Sequence, residues 1–323
     1  MTAIDNLMRI GGTAVLRNPG LDTLDRAQLK RFAPTLFAKR GIEGVSDNYG
    51  FVSTIGIIDA MAENGYECVE VRQSQRRDED RMPFTKHMVK FRHPGTLKAL
   101  LKRGDVIPQI VMLNSHDRSS GFQLYAGMFR VVCSNGLIVS DSQLVEPIRV
   151  RHSTRMVEDI LKRSLELVKG ADGVYTLRDE MLHTAMTQKT AIAFANEALQ
   201  FRPPRRSGLM TPDSLLEVRR TEDAPLDLWH VFNRVQENML RGGVTTVTEG
   251  VDGKAGRSVQ TKGIGRIERD VQVNSALWGL AVETLAKASK SAAKATAKTA
   301  TKEAPAKPAR SSRRKEVEAE LDI

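Results

Sequence analysis

The densest run of chemically capable side chains is LNSHDRSSGF, which sets Asn114, Ser115, His116, Asp117, Ser119 and Ser120 close together. A second word, RVVCSNGL, holds Cys133, Ser134, Asn135 and Gly136. An imidazole beside a carboxylate suits a general base or a metal, and a thiolate near an imidazole suits nucleophilic catalysis. The spacing favours none of these. Metal sites need several converging ligands, and nothing unites His116 and Asp117 with His87 or His93; no HExxH pattern is present. Cys133 follows an apolar run with no base near it in the chain, so it reads as a buried thiol. Residues 114–120 read as a loop whose Asn, Ser and Asp side chains bond to backbone groups. Asn135-Gly136 reads as a turn or helix stop, whose amides could also meet a phosphate. No catalytic residue, metal ligand or cofactor is assigned. An enzyme, such as a metal-dependent nuclease, would have to use loops 114–120 and 133–136.

Cationic side chains make the stronger functional pattern. The formal net charge is +10, and residues 287–323 hold ten Lys/Arg against five Asp/Glu, so half of the excess lies there. The body shows three basic patches. Arg72, Arg76, Arg77 and Arg81 lie near the tip of an expected hairpin, followed by Lys86, Lys90 and Arg92. Arg202, Arg205 and Arg206 flank Pro203-Pro204. Lys254, Arg257, Lys262 and Arg266 punctuate a glycine-rich stretch that lacks the GxxxxGK[ST] order of a nucleotide-binding loop. Convergence of these patches would make a groove for DNA, single-stranded in preference, with Phe84, Phe91 or Tyr49 available to stack on bases. Asp78, Glu79 and Asp80 dilute the first patch.

The elements that must position these residues follow from periodicity. Ser53 or Thr54 can cap a helix over Ile55 to Glu63, stopped by Asn64-Gly65. Tyr66 to Gln73 and Phe84 to His93 alternate as strands and predict a long antiparallel hairpin with its basic side chains on an outer face. Val106–Ser115 and Phe122–Gly136 predict two buried strands joined by a turn-rich loop and a short helix. Residues 154–200 read as two amphipathic helices. Thr211 caps a turn with Pro212 first inside it, and Asp227–Gly243 is a further helix ended by Gly242-Gly243. The expected fold class is α+β: an antiparallel sheet with a long hairpin, packed against a largely helical C-terminal half, plus a disordered basic tail. The expected divisions are an N-terminal arm (1–30), a body (31–286) and a Lys/Ala-rich tail with an acidic tip (287–323). With two cysteines, no CxxC, no long apolar run and no secretory leader, the chain reads as cytoplasmic with no membrane partner.

The words LNSHDRSSGF and RVVCSNGL, followed by NRVQENMLRGG and NSALWGLAVETLA, resemble the DUF932 family over roughly residues 30–286. Family-motif candidates on this resemblance are Asn114, His116, Asp117, Cys133, Asn135 and Gly136. It implies a phage, plasmid or other mobile-element setting with no assigned activity. The reading that joins the two lines is a non-catalytic DNA-binding protein of a phage or plasmid, acting as a homo-oligomer in single-strand binding or annealing during recombination. A structural or regulatory mobile-element protein whose body binds protein is the alternative.

Overall fold

The computed structural model describes residues 7–10, 12–18, 22–44, 51–92, 106–130, 136–139, 148–149, 156–202, 210–247 and 256–302. Contacts divide the chain into Met1–Leu285 and Ala286–Ile323.

The first unit is built on one antiparallel sheet in the order β1 (Leu7–Ile10), β2 (Thr13–Arg17), β3 (Glu67–Ser74), β4 (His87–Arg92), β5 (Val106–Asn114), β6 (Gln123–Arg130) and β7 (Gly136–Val139), with β8 (Ile148–Arg149) also on β6. The expected hairpin is β3–β4, paired from Glu67↔Arg92 to Gln73↔His87 with an irregularity between Cys68 and Glu70. Strands β5 and β6 pair in continuous register, and the link between them is a run of bends and coil rather than a short helix. Within the expected N-terminal arm, β1 pairs with β2, and β2 pairs with β3 from Thr13↔Ser74 to Arg17↔Glu70.

Register sorts the side chains onto two faces. On one face, Val71, Val89, Phe91, Ile110, Met112 and Leu124 form a core with Leu29 of α1 (Arg26–Phe32), with Thr35 and Leu36 of a 3-10 turn beside them, and with Ile57, Ile58 and Met61 of α2 (Thr54–Glu63). Ser53 caps α2 by accepting from the Gly56 amide. The 28-residue α3 (Met156–His183) sends Ile160 into this core and Val174 and Met181 into a second one. That second core gathers α4 (Gln188–Leu199), α5 (Pro212–Leu216), α6 (Leu228–Arg241) and α7 (Ile267–Lys302) around Phe232 and Trp278, whose rings meet edge to face at 6.0 Å. The two amphipathic helices expected over 154–200 are α3 and α4, with the break between them at Thr184–Thr187. Helix α6 runs into β9 (Gly242–Val247), which pairs with β10 (Ser258–Lys262).

Helix α7 continues through Lys302, so residues 287–302 of the expected disordered tail are helical, as their Ala and Lys content allows. Residues 303–323 lie outside the described residues. No helix among the described residues is long and apolar enough to cross a membrane.

Candidate functional site

The second face of the sheet is charged. Arg17, Glu70 and Lys90 sit opposite one another on β2, β3 and β4, and Arg72 lies two residues from Glu70 on the same face. Glu70 accepts from Arg17, from Arg72 at 2.8 Å, and lies 3.2 Å from the Lys90 ammonium. Above this row lies the first turn of α7. Its Asp270 binds Arg72, and its Glu268 binds Lys86. Asn274 donates to Asp270 at 2.9 Å and Gln236 of α6 donates to Asn274 at 2.7 Å, so one polar chain runs from β2 to α6. Ile267 and Val271 seal it against Met88, Val111, Leu113 and Tyr125.

This arrangement corrects the expected basic outer face of the hairpin. Lys90 is 1 % exposed, Arg92 5 % and Lys86 7 %, and Arg72 is half-buried. Arg92 is held by Glu67. Burial lowers the Lys86 ammonium pKa, opposed by Asp117 and reinforced by Arg76. Arg72 and Lys86 thus tie α7 to the sheet, while Lys90 and Arg92 are held by Glu70 and Glu67 of β3. Phe91, offered above as a base-stacking ring, is core; Phe84 is half-buried and Tyr49 lies outside the described residues.

The family-motif residues divide between two environments. His116 is fully buried with His87, Thr35, Thr54 and Asn114. His87 Nδ1 lies 3.0 Å from the Thr85 carbonyl, which can only accept, so Nδ1 carries the proton and Nε2 accepts. The Thr54 hydroxyl, 2.9 Å away, therefore donates to His87 Nε2. Thr54 Oγ1 in turn accepts from Asn114 at 3.1 Å and from His116 Nε2 at 3.3 Å. Burial first, and then the neighbouring His116, push His87 down to about 3, against weaker opposing effects of Thr85 and Asp117. His87 is thus a neutral structural imidazole. Asp117 has other partners: it accepts from the Ser119 amide at 3.0 Å and lies 3.6 Å from Arg76. His116 and Asp117 are neighbours in sequence that do not act on one point. Gly136 opens β7 opposite Phe129, while Cys133 and Asn135 lie outside the described residues. The described cysteine, Cys68, is buried, and its thiol is pushed up to about 12 by desolvation. Among the described residues no group of three or more His, Cys, Asp or Glu is placed to hold a metal ion.

Several of the remaining cationic candidates are on the surface. Arg76, Arg77 and Arg81 are exposed on the β3–β4 turn, and Arg118, at φ 63°, is exposed on the β5–β6 turn. The Arg76–Asp117 contact joins these turns, and Lys86 donates to the Ser119 carbonyl at 3.1 Å. The Gln75 amide donates to Gly12 at 2.8 Å and Thr13 donates to Gly265, which brings exposed Arg266 to the same end of the sheet. Arg202 is occupied by the Met239 and Lys262 carbonyls, whereas Arg257 and Lys262 are exposed on and beside β10. Arg205, Arg206 and Lys254 lie outside the described residues. Arg118, Arg17 and the acidic partners Glu70 and Asp270 were missed by sequence reasoning. The available signal was a charged residue repeated in strands that are otherwise apolar on both faces.

A model of the domain of unknown function DUF932 matches residues 42–278. The chain belongs to the DUF932 family. That family comprises phage- and plasmid-associated proteins of unknown function. The chain is 33% identical over 258 residues to UPF0380 protein YafZ of Escherichia coli (strain K12), covering 80% of this chain and 90% of that protein. It is 33% identical over 262 residues to UPF0380 protein YfjQ of the same strain, covering 81% and 91%. No solved structure matches. The DUF932 match takes in the Thr54–His116 cluster, Glu70, Asp270 and Asn274, but begins after β2 and ends within α7. In this DUF932 chain Arg17 and the lysines beyond residue 286 therefore lie outside the matched stretch.

Proposed function

We propose that this DUF932 chain is a non-catalytic DNA-binding protein of a phage or plasmid, favouring single strands and acting as a homo-oligomer in annealing during recombination. The observation that carries the reading is the group of exposed arginines at one end of the sheet: Arg76, Arg77, Arg81, Arg118 and Arg266, from three separate stretches. Guanidinium groups match phosphate oxygens in a bidentate fashion and stay charged at any working pH. Asp78, Glu79 and Asp80 share the β3–β4 turn and are exposed too. Arg81 lies 3.4 Å from Asp78 and Arg76 lies 3.6 Å from Asp117, so on this reading these two exchange a carboxylate for a phosphate, and the group acts as separate phosphate ligands rather than as a uniformly positive field. Contacts of that kind position a backbone without reading bases, which leaves bases free to pair with a second strand.

Fluorescence anisotropy with labelled single-stranded and duplex DNA, over a series of salt concentrations, tests this. The full chain should bind single strands more tightly, with log affinity falling linearly in log salt. Replacing Arg76, Arg77, Arg81 and Arg118 by Gln should flatten that slope by about 0.7 per lost phosphate contact on single strands. A wild-type chain that binds neither DNA at low salt would end the proposal. Annealing of complementary strands, followed in the same samples, should rise with protein while strand lengths stay unchanged. Shortened strands would point to a nuclease instead.

A further inference from the structure

The C-terminal part of α7 carries a pattern that the sheet does not. Lys287, Lys290, Lys294, Lys298 and Lys302 are spaced 3, 4, 4 and 4 residues apart within one continuous helix. At 100° per residue these positions fall inside an arc of about 120°, and they extend along about 22 Å of axis. Lys287 and Lys290 are exposed. No Asp or Glu occurs between Glu283 and Glu303. The helical positions between the lysines are Ala, Ser and Thr, which supply no bulky apolar face for a lipid surface or a partner helix. Cations near a helix C-terminus are also favoured by the backbone dipole.

We infer that this lysine stripe is a phosphate track: a second DNA-binding element, which follows a nucleic-acid backbone through sequence-independent contacts. This rests on the DNA-binding reading above and adds which residues supply most of its salt-sensitive part. Lysines four residues apart recur about every 6 Å along the helix axis, so successive ammonium groups meet an extended phosphate backbone at regular intervals from one side. Ammonium groups on flexible stems suit such a track, since each is a point charge that needs no fixed geometry.

The test uses the full chain and two variants. In the first, all five lysines become Gln, a good helix former that keeps length and removes charge. In the second, composition is kept but the stripe is broken, by exchanging Lys290 with Ala293 and Lys298 with Thr296. Circular dichroism verifies that helix content is retained. Labelled single-stranded DNA is titrated at several salt concentrations, with phosphatidylserine-containing vesicles as a separate arm. The Gln variant should flatten the log–log salt slope by about 3.5, and the exchanged variant should lie between it and the wild type. Wild-type binding that survives unchanged in the Gln variant overturns the track and leaves the sheet-end arginines standing. An exchanged variant equal to wild type overturns the one-sided geometry in favour of bulk charge. Tighter binding to vesicles than to DNA overturns the choice of ligand. Failure of the wild type to bind DNA at all removes this inference together with the reading on which it rests.

Discussion

Thr54 shows how one hydroxyl can fix the protonation of its surroundings. It donates to His87 and accepts from Asn114 and His116, all at 0 % exposure. A Thr54→Val substitution keeps shape and removes all three bonds, leaving two buried donors and one acceptor unsatisfied. Each orphaned group costs on the order of 1–3 kcal/mol, so urea denaturation should show a loss well above that of an ordinary surface substitution. The same cluster sets a pH dependence. His87 titrates at about 3 in the fold against an ordinary 6.5. Between those values the unfolded chain binds a proton that the folded chain refuses, so stability is complete above about 6.5 and falls as pH drops towards 3. The slope from this one group approaches about 1.4 kcal/mol per pH unit. Urea midpoints measured from pH 7 to pH 4 should fall accordingly, and a His87→Asn variant, weaker at pH 7, should lose part of that slope. An unchanged slope in the variant would place the acid sensitivity in other groups.

The strands and helices depend on one another most where charge is buried. Glu70 of β3 neutralises cations from β2, β3 and β4, so Glu70→Gln leaves Arg17, Arg72 and Lys90 with only part of their compensation. Breaking one partner of a buried ion pair costs about 3–5 kcal/mol, and thermal unfolding should register it as a large drop in midpoint. At the α6–β9 junction, Gly242 has φ +65°, and a Cβ there would sit 2.4 Å from the Lys262 backbone. Gly242→Ala should therefore cost more than the usual ~1 kcal/mol of a disallowed left-handed residue. Local signals made several elements legible in sequence: the Ser53-or-Thr54 cap and Asn64-Gly65 stop of α2, the Thr211-Pro212 start of α5, and the Gly242-Gly243 end of α6. The faces were not legible in the same way. Lys86, Lys90 and Arg92 alternate along β4 in the same pattern whether water or a carboxylate stands opposite. Glu70 and Glu67 of the neighbouring strand answer Lys90 and Arg92, whereas the helix that answers Lys86 begins at Ile267, far along the chain. NRVQENMLRGG likewise reads as half polar, yet Asn233, Arg234, Gln236, Glu237 and Asn238 are all buried. Burial would raise the Glu237 carboxyl pKa, but the hydrogen bond and charge of Arg220, with Arg241 and Arg219, hold it below the usual range.

The formal charge of +10 is spent in two ways across the molecule, and salt distinguishes them. Internal cations such as Lys90 and Arg130, the latter bound to Asp223, lie in contact with their carboxylates and away from water. Exposed cations such as Arg77, Arg118, Lys287 and Lys290 face solvent. Mobile ions screen exposed charges over a Debye length of about 10 Å at 0.1 M and about 3 Å at 1 M, but reach buried pairs poorly. Raising sodium chloride from 50 mM to 500 mM should therefore leave the urea midpoint of the full chain almost unmoved. On the DNA-binding function proposed above, affinity over the same range should fall by orders of magnitude, because each neutralised phosphate releases a condensed counterion. Glu70→Gln should lower the midpoint at every salt concentration while leaving the slope of log affinity against log salt intact. The five-lysine variant should do the reverse. If stability and binding fell together with salt, the interior ion pairs would be exchanging with solvent, and the division between cations that hold the fold and cations that meet a ligand would not hold.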